Sequence, residues 1–138
     1  MPYFADAQEV YDTLGRLFHE LLADDELAPK LKSADTIVRY EHTEPEAVIT
    51  VRLREEEGEA VECGVGEMEA DVVMRMSADT AHRYWLGDVN VTAALARGQI
   101  RAEGPVAKIL KLVPLTKPVF PRYRQQLIDQ GRADLTEV

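Results

Sequence analysis

Cysteine is almost absent: Cys63 stands alone among 138 residues. No disulfide can form within the chain, and a reducing compartment, the cytoplasm, is the expected home. Serine is nearly as scarce, and neither Ser33 nor Ser77 sits in the Gly-x-Ser-x-Gly turn of an activated nucleophile. His19, His42 and His82 lack the spacing of metal ligands and Cys63 has no cysteine partner, so a zinc site is not expected. Gly64-x-Gly66 lacks the third glycine of a dinucleotide loop, and no Walker lysine occurs. No cofactor, metal or conventional catalytic centre is therefore expected. No apolar run approaches the roughly 20 residues of a membrane span. The start, MPYFADAQEV, lacks the basic and apolar regions of a secretory leader.

The chain is instead rich in acid. Net charge is −9, hydrophobic content 46% and charged content 30%, the make-up of a globular protein rather than a disordered one. The charge is uneven: 21 acidic against 8 basic residues up to residue 96, then 4 against 8, giving −13 and +4. An acidic body disfavours nucleic acid, whose binding rests on neutralising phosphates. The basic last third holds Arg97, Arg101, Lys108, Lys111, Lys117, Arg122 and Arg124. It either balances the acidic body or faces an anionic group or membrane surface in transient contact.

The stretch from Asp71 to Leu110 organises the rest. Val72, Met74 and Met76 alternate with Val73, Arg75 and Ser77 at the period of a strand with one buried face. Ser77 supplies an N-cap oxygen, Asp79 a first-turn acid and Gly87 a stop, which predicts a short helix carrying Tyr84, Trp85 and Leu86. A second short helix starts at Asn90, runs through Ala93, Ala94 and Leu95, and stops at Gly98. Ile100 and Ala102 form a brief strand, Gly104 turns the chain, and Pro105 opens another helix.

Around this stretch the pattern is regular. Asp6 and Glu9 make a capping-box-like start to a helix whose apolar stripe is Val10, Leu14, Leu17, Phe18 and Leu21. Gly15 within it marks close approach to the sheet. Asp24-Asp25-Glu26 ends that helix or follows it, and Leu27 to Asp35 is a connector with room for one helical turn. Strands follow at 36–41, at Ala47, Ile49, Val51 and Leu53, and at Val61, Cys63 and Val65, with the acidic tip 55–59 between the last two. Cys63 reads as an inward core residue and His82 as an exposed polar one. Val106, Ile109, Leu110 and Val113 form an apolar face, and Pro114, Pro118 and Pro121 break any long helix. Phe120, Tyr123 and Leu127 resume helical spacing up to Gly131.

Trp85-Leu86-Gly87, Ala94-Leu95, Arg97-Gly98-Gln99-Ile100 and Glu103-Gly104, with the helix to Leu110, resemble the sterol-carrier, or nonspecific lipid-transfer, family. That family carries a Leu-Gly pair, a Gly-(Lys/Gln)-(Ile/Leu) step and a second glycine two to four residues later. The resemblance implies a single α+β domain over residues 1–138. Its sheet would be one mixed layer of five strands, ordered helix, three antiparallel strands, crossover strand, short helices, strand and C-terminal helices. It also implies an apolar tunnel for a fatty acid, acyl-CoA, phospholipid or sterol. Several relatives end in a peroxisomal Ser-Lys-Leu address, whereas this chain ends Leu-Thr-Glu-Val.

The residues expected to wall that tunnel are Met74, Met76, Trp85, Leu86, Leu95, Ile100, Ile109, Leu110, Val113 and Phe120. Met74 and Met76 point the same way along their strand, and Met adapts to ligands of varied shape. The plainer alternative is that all ten simply fill a core. The expected partner is a lipid or sterol-like molecule, and a homodimer stays open. Two further readings remain. One is a module that presents substrate to a lipid or steroid enzyme. The other is a small isomerase in which Asp71, Asp79 or Asp88 works with Tyr84.

Overall fold

The computed structural model describes residues 2–137, the side chain of Val106 excepted. Five strands form one sheet: β1 (Thr36–Thr43), β2 (Ala47–Leu53), β3 (Val61–Cys63), β4 (Val72–Ser77) and β5 (Ile100–Glu103), in the order β3-β2-β1-β4-β5. β1 pairs parallel with β4, and every other neighbouring pair is antiparallel, so the sheet is mixed, as expected. β1 runs two residues past the expected end, because His42 and Ala47 still pair across the turn at residues 44–46.

Register decides which face is buried. Tyr40 lies beside Ile49 and Met74, Val38 beside Val51 and Val72, and Met76 beside Ile100, so one face is a continuous apolar surface. The opposite face is polar. On it Arg75 bridges Glu41 at 2.7 Å and Glu103 at 2.5 Å, and Arg39 donates to the Met68 carbonyl of the connection that carries the chain from β3 to β4.

Helices pack on the apolar face. The first is α1 (Ala7–Val10), continued by a π turn (Tyr11–Gly15) and α2 (Arg16–Leu22). Asp6 caps it by accepting from the Glu9 amide, while Glu9 accepts from Ala5. All five stripe residues are buried. Gly15 does meet the sheet: a Cβ there would lie 2.8 Å from the Cys63 sulfur. Cys63 is nonetheless exposed rather than core, because β3 is a three-residue edge strand with no further strand beyond it among the described residues, and Val65 lies outside the strand at 94% exposure. The connector holds α3 (Leu27–Lys32), and Asp24 caps it by accepting from the amides of Glu26 and Leu27. The acids after α2 therefore serve the next helix, not the negative end of the previous one.

The remaining helices are α4 (Ala78–Trp85), α5 (Val91–Ala96), α6 (Val106–Leu115) and α7 (Val119–Asp129), followed by a 3-10 turn (Ala133–Thr136). Ser77 and Asn90 cap α4 and α5 as predicted, accepting from the Thr80 and Ala93 amides. Gly104 adopts φ +117°, and a Cβ there would sit 2.5 Å from the Asp71 carbonyl, so only glycine fits. Pro105 caps α6 rather than opening it. Pro114 lies inside α6, one residue from its end, and Pro121 in the first turn of α7, where a missing N–H costs no helical bond. The helix break thus falls between Thr116 and Pro118.

His82 corrects the sequence reading most sharply. It is fully buried, because α4 packs the stripe Ala78, Ala81, His82 and Trp85 inward and the imidazole fills the junction with α7 and the 3-10 turn.

Candidate functional site

Between the sheet and α4–α6 lies a cavity of about 20 Å³, counted as the space open to the centre of a water molecule. That holds roughly one water. Tyr40 of β1, Met74 and Met76 of β4 and Ile100 of β5 form its floor. Tyr84 of α4, Val91 of α5, Ile109, Leu112 and Val113 of α6, and Thr116 close it from above. None of these ten residues carries a charge.

The cavity has neighbours on three sides. Tyr84, Val91, Val113 and Thr116 also border an open cleft of about 360 Å³ rimmed by Asn90, Lys117 and Phe120. Ile100 and Ile109 also border an outer groove of about 390 Å³ that includes Leu95, Gly98 and Leu110. Tyr40, Leu112 and Thr116 separate the cavity from a second void of about 10 Å³, walled by Phe18, Leu21, Leu31, Trp85 and Val119 among others.

The ten sequence-derived residues therefore divide. Met74, Met76, Ile100, Ile109 and Val113 line the cavity. Trp85 lines the second void, edge-on to Phe18 with ring centroids 5.3 Å apart. Phe120 lies in the open cleft, where a Cβ on Gly87 would come within 3.0 Å of its ring. Leu95 and Leu110 face the outer groove, Leu110 at 59% exposure. Leu86 is buried and borders none of these spaces.

Leu110, expected on the tunnel wall, faces outward from α6. The inward stripe is Ile109, Leu112, Val113 and Thr116, at the i, i+3, i+4, i+7 spacing that one helix face requires. Leu112 and Thr116 were legible by that rule, whereas Tyr40 joins the lining only through the parallel pairing that sets it beside Met74.

Polar atoms in the cavity are few and specific. The Tyr84 hydroxyl lies 2.6 Å from Thr116 Oγ1, and Thr116 in turn donates to the Val113 carbonyl at 2.8 Å. With its own hydrogen committed there, Thr116 accepts from Tyr84. Burial raises the pKa of both Tyr40 and Tyr84 and holds both phenols neutral. The acids weighed for an isomerase are elsewhere. Asp71 pairs with Arg54 at 2.7 Å, Asp79 accepts from the Tyr3 amide, and Asp88 is exposed; none lines the cavity. Among the described residues, no three His, Cys, Asp or Glu side chains are grouped to hold a metal ion.

Three of the seven basic residues singled out in the last third are committed to the fold. Lys108 donates to the Asp35 carbonyl, Arg122 pairs with Asp24, and Arg124 donates to the carbonyls of Leu86 and Thr136. No described helix is long and apolar enough to cross a membrane.

The model of the SCP-2 sterol transfer family matches residues 15–117. No curated protein matches the sequence. Among solved structures, the fold is similar to sterol carrier protein domain 2 of Helicoverpa armigera, at TM-score 0.63 and 23% identity, covering 82% of this chain and 89% of that one. It is also similar to apo sterol carrier protein 2 from Yarrowia lipolytica, at TM-score 0.59 and 16% identity over 82% and 91%. The sec-alkylsulfatase Pisa1 from Pseudomonas sp. contains a similar unit, at TM-score 0.53 and 17% identity, over 64% of this chain and 14% of that enzyme.

Proposed function

The chain belongs to the SCP-2 sterol transfer family, and from that premise we propose that it takes up one lipid or sterol-like molecule between sheet and helices and releases it chemically unchanged. The observation that carries this reading is the uncharged cavity over Met74 and Met76, which shares Tyr84, Val91, Val113 and Thr116 with an open cleft. Its volume of about 20 Å³ is too small for an acyl chain, so uptake requires α6 to lift from the sheet. The break between α6 and α7 at residues 116–118 is the natural pivot. Burying an acyl chain is worth about 0.8 kcal/mol per methylene, from which opening and ordering costs subtract, and micromolar binding is the expected result. Contact with a membrane during delivery would fall to Leu110 and Lys111, both exposed on α6.

Titration with a fluorescent fatty acid and a fluorescent sterol, with native mass spectrometry of the freshly purified protein, tests the reading. Saturation near one ligand per chain supports it. Flat titrations for both probes and no co-purified lipid would remove it.

A second reading draws on the likeness to part of the alkylsulfatase. The fold there sits within a larger enzyme, and the present chain would hold an apolar substrate for a partner enzyme. Ligand binding without vesicle-to-vesicle transfer would favour that role over carriage.

A further inference from the structure

The carrier reading leaves open which end of the ligand is recognised, and how. The cavity lining contains three hydroxyl-bearing side chains, Tyr40, Tyr84 and Thr116, and no cation. Their hydrogen bonds leave a definite remainder. Thr116 uses its hydrogen on the Val113 carbonyl, and Tyr84 uses its own on Thr116. Tyr84 therefore keeps lone pairs as a free acceptor. Tyr40 is 7% exposed; among the described residues its hydroxyl makes no hydrogen bond, and it is not one of the fully sealed polar atoms. It keeps both a donor and an acceptor.

We propose that Tyr40, Tyr84 and Thr116 form a neutral subsite for an uncharged oxygen head group, an alcohol or a carbonyl, and that it discriminates against a carboxylate. The proposal rests on the carrier reading and specifies its ligand class. An alcohol matches the remainder, donating to Tyr84 and accepting from Tyr40. A carbonyl takes the Tyr40 hydrogen alone. A carboxylate would find one donor and no cation in a desolvated site, and an anion so placed carries a large burial cost. The second, apolar void beyond Tyr40 and Leu112 is where the body of such a ligand extends, walled by Phe18, Leu21 and Leu31. The rival arrangement for an acid leaves its head in the open cleft, where Lys117 stands at the rim.

The test compares pyrenedodecanol with pyrenedodecanoic acid at neutral pH, on the native chain and on the volume-conserving variants Tyr40→Phe and Tyr84→Phe. On the native chain the alcohol is expected to bind roughly tenfold tighter than the acid. Each phenylalanine variant should weaken the alcohol about fivefold and leave the acid within about twofold. Equal affinity for the two probes, or tighter binding of the acid, overturns the subsite and leaves carriage standing. Tighter acid binding that Lys117→Ala abolishes would place the head group in the cleft instead. Failure of both probes to bind would remove the carrier reading and the subsite with it. The comparison on the native chain decides the matter even where a variant fails to fold.

Discussion

His82 Nδ1 lies 2.8 Å from the Tyr123 hydroxyl, and neither side chain is exposed at all. The other ring nitrogen, Nε2, lies 2.8 Å from the Leu135 carbonyl, which can only accept. Nε2 therefore carries the hydrogen, Nδ1 accepts, and Tyr123 donates. Through one neutral imidazole, α4 is tied to α7 and to the 3-10 turn at the C-terminal end, with Phe4 packed edge-on against the ring.

Removing that donor should be costly. Tyr123→Phe leaves a buried ring nitrogen without a partner, a loss of about 1–3 kcal/mol. Urea denaturation measures it, and nitrogen-15 NMR of the native chain should report the Nε2-protonated tautomer.

Acid should destabilise the protein through its buried histidines. Burial pushes His42 down to about 4 against the pull of its hydrogen bond to the Ala47 carbonyl, and burial likewise lowers His82. Unfolded chains protonate these rings from about pH 6.5 downward, whereas the folded chain resists. Stability is thus complete above that value and falls as pH drops toward about 4, by about 3 kcal/mol for His42. Urea midpoints measured across this range should fall steadily. His42→Gln should flatten the slope by about one proton, separating its share from that of Glu9 and Asp134, whose carboxyls are held below their ordinary range by hydrogen bonds from Arg132.

The two faces of the cavity wall should answer differently to bulk. Ile109→Trp forces an indole into about 20 Å³ and should cost about 1–3 kcal/mol while blocking ligand. Leu95→Trp lies over the open groove and should leave the melting temperature nearly unchanged. Thermal melts with and without a fatty-acid probe distinguish the two.

Among the basic residues, structural and free cations should separate in the same way. Arg124→Ala forfeits hydrogen bonds to the Leu86 and Thr136 carbonyls and should destabilise by about 1.5–3 kcal/mol. Lys111→Glu should stay within about 0.5 kcal/mol of the parent. If Lys111 touches membranes, the same change should slow transfer to anionic vesicles and erase its salt dependence.

The architecture was legible because most of its signals are local. Alternation at Val72, Met74 and Met76 set a strand face, and Ser77, Asn90, Gly87 and Gly98 marked helix ends by backbone chemistry that needs no tertiary context. Half the cavity lining followed from those same periods. What escaped depends on neighbours distant in sequence. His82 looks like a surface residue until α7 and the 3-10 turn cover it, and Cys63 looks like core until β3 proves to be the sheet edge. Helical spacing gives Thr116 its place on the inner face of α6 but not its role, since a hydroxyl acquires a role only from what stands opposite it, here Tyr84.

Tyr40, Leu112 and Thr116 all wall both the cavity and the second void at once. A guest that displaces this partition does not enlarge one chamber by degrees; it merges two. Affinity plotted against ligand length should accordingly rise as a step, low for molecules that end short of Tyr40 and abruptly higher for those long enough to reach the side of Phe18.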